Sequence, residues 1–311
     1  MISIESLREA VRGKVFIGEP LAEYSSLKIG GPADFLVSPV DREDTLAAVR
    51  FFHDLQKPYL VLGRGSNVLI SDQGVRGTVI LISDCLQKIE VNGETVYAEA
   101  GVDLPELSVK MLKQGLGGLE ELAGIPGTVG GAIVMNAGAY GREIFELVEW
   151  VEVIRKGSIY RIKKGEIKYQ YRKTDLDRDV ILAAQFKLRK LSEEELQAAQ
   201  ARRKELMEKR RLSQPLKLPN AGSVFRNPPP DENGNTRYAG QLIEACGLKG
   251  YRQGGAMFSD KHANFIVNLG AATANDVITL IELAKTRVKK VFGVDLQLEI
   301  KLIGFEQAER Q

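Results

Sequence analysis

Residues 124 to 141 read Gly-Ile-Pro-Gly-Thr-Val-Gly-Gly-Ala-Ile-Val-Met-Asn-Ala-Gly-Ala-Tyr-Gly, with six glycines and three alanines in eighteen positions. Glycine loses more backbone entropy on folding than any other residue, so a run this dense needs a reason. Positive φ angles, or close approach of bare main chain to a bulky group, are the two physical ones. Pro126-Gly127 marks a tight turn. Thr128, Gly130 and Gly131 follow, placed so that successive backbone N–H groups face one anion. A second glycine-rich turn, Gly63-Arg64-Gly65-Ser66-Asn67, lies upstream. Two such turns point to a long phosphate-containing ligand held along its length. The dinucleotide fingerprint Gly-x-Gly-x-x-Gly opening a helix is absent, because Val68-Leu69-Ile70 continues as strand and a third glycine is missing. A nicotinamide-type Rossmann site is therefore not expected, although either turn taken alone is compatible with an ordinary tight loop.

A chain of 311 residues suits two or three lobes rather than one small core. The charge balance of 43 Lys plus Arg against 41 Asp plus Glu provides no overall pull toward nucleic acid or membrane. No apolar run approaches the ~18 residues of a bilayer span. Cys85 and Cys246 suggest no disulfide framework, and His53 and His262 form no metal-ligand spacing, so no metal is expected. The N-terminal residues lack a signal-type apolar core, and a cytoplasmic protein is the natural reading.

Along the chain, the periodicity predicts a helix over 4–11, strands at 34–37, 58–62 and 79–82, and a helix capped by Asp41 with Leu46, Val49 and Phe52 on its buried stripe. Alternating strand and helix favours an α/β first lobe, 1–85. Asn92-Gly93 between two alternating runs signals a hairpin. Asp103 caps a helix ended by Gly115. Strands at 148–155, 158–162 and 180–187 imply an antiparallel sheet in a second lobe, 86–200. From Ser192, which opens a capping box with Glu195, a charged helix reads as a solvated linker to a third lobe, 201–311. Its last helix, near 275–292, carries Val277, Ile281, Ala284, Val288 and Val291 on one face. The closing segment, Val294 to Leu302, alternates strictly as a strand.

Six stretches occur in order: Tyr24-Ser-Ser-Leu-Lys-Ile-Gly-Gly-Pro-Ala-Asp34, Gly63-Arg-Gly-Ser-Asn67, Gly124-Ile-Pro-Gly-Thr-Val-Gly-Gly-Ala132, Asn136-Ala-Gly-Ala-Tyr-Gly141, Tyr171-Arg172 and Asn220-Ala-Gly-Ser-Val-Phe-Arg-Asn-Pro228. Together they resemble the UDP-N-acetylenolpyruvoylglucosamine reductase family from about Tyr24 to Gly304. The resemblance implies an α+β architecture: a two-lobed FAD-binding domain of p-cresol methylhydroxylase (vanillyl-alcohol oxidase) type, and a C-terminal α+β substrate domain whose last strand closes the cleft.

It also implies non-covalent FAD, since neither glycine-rich stretch holds a histidine. Leu62, Gly63, Arg64, Gly65, Ser66 and Asn67 would bind the cofactor, with Gly124, Ile125, Pro126, Gly127, Thr128, Gly130, Gly131, Asn136, Ala137 and Gly138. In the implied reaction NADPH reduces FAD, and UDP-N-acetylglucosamine enolpyruvate then takes hydride from flavin N5 at its vinyl CH2. Arg172 would offset charge developing at the carboxylate, Glu299 would stabilise the enol form as a protonated acid, and Ser223 would give the proton to C2. Read alone, the arginine is a salt-bridge partner and the serine a turn residue. Periodicity does not choose Glu299 over Asp295, Gln297 or Lys301. For substrate, Tyr140, Lys217, Arg226, Asn227 and Lys261 are the candidates, with Arg252 a further cation. Only 51 positions separate Arg172 from Ser223, and no tyrosine lies between Arg172 and Tyr238. That spacing resembles the shorter class, which lacks a tyrosine-bearing lid loop. A monomeric enzyme of peptidoglycan precursor synthesis is expected. Without the resemblance, an FAD-dependent alcohol oxidase on this fold and a flavin- or nucleotide-binding module without turnover remain open.

Overall fold

The structure, a computed structural model, describes residues 3–305. The chain divides into two compact units, and both are discontinuous. Unit 1 comprises residues 1–17, 35–64 and 77–210, and unit 2 comprises 18–34, 65–76 and 211–311. The three consecutive lobes expected from the sequence (1–85, 86–200 and 201–311) are therefore not the physical division. One continuous apolar core in unit 1 runs from Leu7 and Phe52 to Phe145 and Phe186, joining the first two expected lobes. Residues 18–34 and 65–76 instead give Leu27, Ile29 and Leu69 to the core of unit 2.

In unit 1, helices α1 (Ile4–Ala10) and α2 (Arg42–Asp54) pack on one another. Asp41 caps α2 by accepting from Asp44 N–H, as its position predicts. Strands are ordered Lys14–Pro20, Pro32–Ser38, Val75–Leu81 and Tyr59–Leu62 in a four-stranded sheet, with the last two parallel. Every hydrogen-bonded neighbour in the five-stranded sheet is antiparallel. Its order is Ser158–Lys163, Val148–Arg155, Val180–Lys187, Thr95–Glu99 and Ile89–Asn92. The Asn92-Gly93 hairpin forms with Asn92 opposite Thr95 and Gly93 at φ +61°. Helix α3 (Leu104–Lys113) buries Leu104, Leu107 and Met111, and Gly115 follows it in the left-handed region at φ +73°. Helix α4 (Val129–Val134) is a short element inside the glycine-rich stretch.

Helix α5 (Glu193–Ser213) starts with the predicted box, Ser192 and Glu195 each accepting the other's backbone N–H. Most of its charges face solvent as expected, Arg203 and Arg210 being partly covered, and Leu206 is its one fully buried residue. One face nevertheless packs against the glycine-rich stretch. A Cβ on Gly124 would meet Arg210 Cδ at 3.1 Å and Met207 Sδ at 3.5 Å.

Unit 2 is built on a four-stranded antiparallel sheet, ordered Asn220–Ser223, Phe265–Asn268, Ala256–Phe258 and Arg252–Gln253. Helices α6 (Ala239–Ala245) and α7 (Ala274–Phe292) pack on each other, and α7 also contacts the Ala256–Phe258 strand. The buried face of α7 carries Val277, Leu280, Ile281, Ala284 and Val288. Val291, expected on that stripe, is 59% exposed, because the last turn runs past the edge of the core. Thr273 and Asp276 form a capping box, Asp72 accepts from Ala274 and Asn275 N–H, and Gly293 ends the helix at φ +68°.

The closing strand is shorter than its alternation predicts. Val294, Leu296 and Ile300 are buried as expected, but regular pairing covers only Lys301–Ile303, parallel to Val68–Ile70, plus one bridge between Leu298 and Phe225. Leu302 is 41% exposed, so the alternation loses phase where the segment joins this two-stranded pair.

Among the described residues, no helix is long and apolar enough to cross a membrane, and no group of three or more His, Cys, Asp or Glu could hold a metal ion.

Candidate functional site

In unit 1 the two glycine-rich turns come together. A Cβ on Gly63 would stand 2.7 Å from Thr128 Oγ1, so glycine is required by that contact. Asp103 bridges to Thr128, Leu104 N–H donates to Gly127 O at 3.0 Å, and Arg64 Nε lies 3.0 Å from Asp103 Oδ2. Leu62 is buried beneath this region, and its carbonyl accepts from Ile82 N–H.

The expected amide nest at Thr128–Gly131 is not what the glycines form. Val129 N–H donates to Val102 O, Gly130 N–H to Ala100 O and Gly131 N–H to Thr128 Oγ1. Gly130 is bare because a Cβ would lie 2.9 Å from that of Ala100. The first two of these N–H groups hold α4 against the loop before α3, and within 128–131 Gly131 alone is exposed. Arg64, a cofactor candidate by position, has its charge matched by Asp103.

Arg210, passed over in a mixed-charge helix, lies against the glycine-rich turn. Its guanidinium sits 3.1 Å from where a Gly124 Cβ would be, and among the described residues no carboxylate pairs with it. Burial pushes its pKa below the ordinary guanidinium value, with only the Tyr140 phenol opposing. A charge removed from water without a partner is costly, and a bound anion at Gly124 would relieve that cost.

Arg172 is assembled in the same unit. It occupies the two-residue turn Tyr171-Arg172 between Tyr169–Gln170 and Lys173–Thr174, at φ +58°. Left-handed backbone in a non-glycine residue costs about 1–2 kcal/mol, and such strain clusters at functional positions. Its guanidinium donates to Gly138 O at 2.5 Å and lies 4.7 Å from the Tyr171 ring centre. A Cβ at Gly138 would stand 3.1 Å from Arg172 Nη1, so the glycine keeps that space clear.

The side chain of Asn136, a residue expected to touch cofactor, is an internal anchor. It is fully buried, and its amide donates to Glu143 Oε2 and Gln170 O and accepts from Phe145 N–H. Ala137 is likewise 7% exposed and part of the core. Tyr140 is 40% exposed at φ +53°, with its hydroxyl 3.4 Å from Leu206 O.

Unit 2 gathers Gly65, Asn67, Ser223 and Glu299. Asn220 faces Val267 and Ser223 faces Phe265, so two residues, Ala221 and Gly222, oppose the single Ile266. This is a β-bulge, which re-aims the side chain that follows it. Gly222 supplies the left-handed φ of +76°, and its N–H donates to Asn220 Oδ1 at 3.0 Å. The order Asn-Ala-Gly-Ser thus has a local mechanical cause. Glu299 N–H donates to Val224 O at 2.8 Å, and Asn67 Nδ2 donates to Glu299 O at 3.1 Å. Gln297 and Lys301 are tied to the same two segments, Gln297 O accepting from Arg226 N–H and Lys301 N–H donating to Asn67 O, so the choice of Glu299 rests on the family resemblance.

The cations expected to meet substrate divide. Arg226 Nε is buried without a hydrogen-bond partner among the described residues, the condition a ligand oxygen would satisfy. Asn227 Oδ1 is already used by Ala239 N–H at the start of α6. Lys261 Nζ lies 3.4 Å from Arg211 O, Arg252 Nε donates to Gly254 O, and Lys217 is exposed. Ser26, to which sequence reasoning gave no role, donates from its hydroxyl to Asn220 O at 2.8 Å and lies 3.2 Å from Gly65 O.

The chain is similar to known proteins over nearly its whole length. An FAD binding domain family matches residues 33–163, and the UDP-N-acetylenolpyruvoylglucosamine reductase C-terminal domain matches 214–303. A UDP-N-acetylenolpyruvoylglucosamine reductase of Chloroherpeton thalassium is 63% identical over 307 residues, 99% of either chain. One from Symbiobacterium thermophilum is 43% identical over 303 residues, 96% of each. The crystal structure of UDP-N-acetylenolpyruvylglucosamine reductase from Thermus caldophilus superposes with a TM-score of 0.78 at 36% identity, covering 94% of this chain and 99% of that one. An FAD-binding domain followed by this C-terminal domain, over essentially the full length of such relatives, leaves one assignment: the chain belongs to the UDP-N-acetylenolpyruvoylglucosamine reductase family.

Proposed function

We propose that the protein uses FAD and NADPH to reduce UDP-N-acetylglucosamine enolpyruvate to UDP-N-acetylmuramate, the lactyl ether used in peptidoglycan precursor synthesis. The carrying observation is that Ser223, at the bulge, and Glu299 lie on two segments joined by Glu299 N–H to Val224 O. FAD, when bound, would supply hydride, with NADPH as its source. The family match and the uncompensated guanidinium of Arg210 beside Gly124 fit that group, with Gly63, Gly124, Gly127 and Gly131 lending bare main chain.

The chain's own residues then have separable tasks. Arg172, held by Gly138 O, presents positive charge to the carboxylate as electron density builds there. Glu299, its backbone fixed on both sides, steadies the enol form. Ser223 donates the proton to C2. A serine hydroxyl is a weak acid, so its placement contributes more than its intrinsic acidity. Arg226 takes a phosphate oxygen of the nucleotide. The reading includes a monomer acting in the cytoplasm, where NADPH and sugar nucleotides are found; sedimentation velocity tests the first part.

An anaerobic two-step titration tests the reaction. NADPH should bleach a yellow protein, and the enolpyruvyl sugar nucleotide should restore the colour with stoichiometric formation of the lactyl ether. A colourless protein, or reduced protein that the substrate leaves bleached, would overturn the proposal.

A further inference from the structure

Within unit 2 a circuit of hydrogen bonds closes through one side chain. Ser26 N–H donates to Gly65 O at 3.1 Å. Two residues on from Gly65, Asn67 Nδ2 donates to Glu299 O at 3.1 Å, and Glu299 N–H donates to Val224 O at 2.8 Å. From Val224 the chain runs back through Ser223 and the Gly222 bulge to Asn220, whose carbonyl accepts the Ser26 hydroxyl at 2.8 Å. The same hydroxyl lies 3.2 Å from Gly65 O, but one proton serves one acceptor well, and the shorter contact takes it.

The backbone around Ser26 is held independently of that hydroxyl. Lys28 N–H donates to Ser25 O, and Leu27 N–H lies 3.3 Å from Ser25 Oγ. Gly65 fits against Tyr24 so closely that a Cβ would lie 2.1 Å from Tyr24 O. Removing the hydroxyl therefore opens the circuit only at Asn220 and leaves the Gly65 turn seated.

We propose that Ser26 is a positioning residue for the reductase reaction: its hydroxyl fixes the base of the Asn220–Ser223 bulge to the Gly65 turn and thereby sets where Ser223 delivers its proton. The inference rests on the proton-donor role given to Ser223 above. It assigns Ser26 no contact with substrate or flavin and no part in flavin reduction by NADPH. A small displacement of a proton donor suffices to slow transfer, because the step needs the donor within hydrogen-bond reach of the accepting carbon.

The test uses the holoenzyme and anaerobic stopped flow on the two half-reactions, with Ser26→Ala, Ser26→Thr, Ser223→Ala and the Ser26→Ala/Ser223→Ala double variant. Ser26→Ala should keep its FAD and be reduced by NADPH within about twofold of the wild-type rate, but be reoxidised by the enolpyruvyl substrate roughly tenfold more slowly. Ser26→Thr, which keeps the hydroxyl, should recover most of that loss. The double variant should be no slower than Ser223→Ala alone, because a residue acting through Ser223 has nothing left to position. Normal reoxidation in Ser26→Ala, equal slowing of both half-reactions, failure of threonine to rescue, or multiplying effects in the double variant would each overturn the inference. If Ser223→Ala is slow and Ser26→Ala is normal, the inference alone falls. If Ser223→Ala reoxidises normally, the proton-donor reading falls and takes the inference with it.

Discussion

Asn67 and Glu299, 232 positions apart, are joined by a side-chain amide donating to a backbone carbonyl at 3.1 Å, and Lys301 N–H returns a bond to Asn67 O at 2.9 Å. The pair brackets Glu299 on its C-terminal side, while Val224 O takes its N–H on the other. A segment that looks like a long strand is therefore an extended strap, held at chosen points by the Gly65–Asn67 turn and the segment after Ser223.

Ser223→Ala should retain FAD and normal reduction by NADPH, while reoxidation by substrate falls by roughly a hundredfold, the usual loss for a positioned acid. Rapid-scan absorbance of the two half-reactions makes the measurement. Equal loss in both would assign the serine a structural part only.

Gly222→Ala separates backbone strain from crowding. A Cβ there meets nothing within 4 Å, yet φ is +76°. The substitution should cost about 1–2 kcal/mol from the left-handed backbone alone and slow substrate reoxidation by displacing Ser223. Gly222→Asn, better tolerated at positive φ, should lie between alanine and wild type. Urea midpoints and half-reaction rates read the two effects, and an alanine variant as stable as wild type would argue against the bulge geometry.

Arg210→Gln and Arg64→Gln should differ although both arginines lie beside the glycine-rich turns. Losing a charge-assisted hydrogen bond costs about 1.5–3 kcal/mol, or roughly 10- to 100-fold in affinity. That loss is expected in FAD binding for Arg210, which has no acidic partner among the described residues. Arg64, already paired with Asp103, should change FAD affinity by less than about threefold, as for an exposed ion pair. Titration of apoprotein with FAD decides it, and the opposite ranking would reassign the anion contact.

The pH dependence of unit 2 should show His262. Burial, helped by the nearby Lys249 charge, lowers its pKa from the ordinary 6.5, and its Nδ1 accepts from Asn264 N–H at 3.2 Å. The native state therefore favours the neutral ring. Its stabilising contribution is present above about pH 6.5 and is lost as pH falls through the lower native value. Asn264 also bonds Phe225 N–H and O, so protonation disturbs the segment after Ser223. Urea midpoints between pH 5 and 7.5 should fall toward acid in the wild type and less so in His262→Gln. Identical slopes would remove the histidine from the account.

The sequence by itself determined the local elements. Asp41, Asp103, Ser192 and Gly293 are caps or stops recognisable from neighbours within four residues, and Asn92-Gly93 closes its hairpin for the same reason. The ordered glycine-rich stretches also carried the family resemblance, because each needs small residues at fixed spacing whatever surrounds it. Tertiary structure alone decided which long-range partners those stretches meet. It used the α4 amides for packing, made Asn136 an anchor, matched Arg64 with Asp103 and left Arg210 unmatched. It also gave residues 18–34 and 65–76 to the C-terminal unit, and with them Ser26 and Asn67. The physical reason is range: periodicity and capping follow from contacts a few residues apart, whereas the burial of a guanidinium or the acceptor of a serine hydroxyl depends on chain distant in sequence, 194 residues away for Ser26 and Asn220.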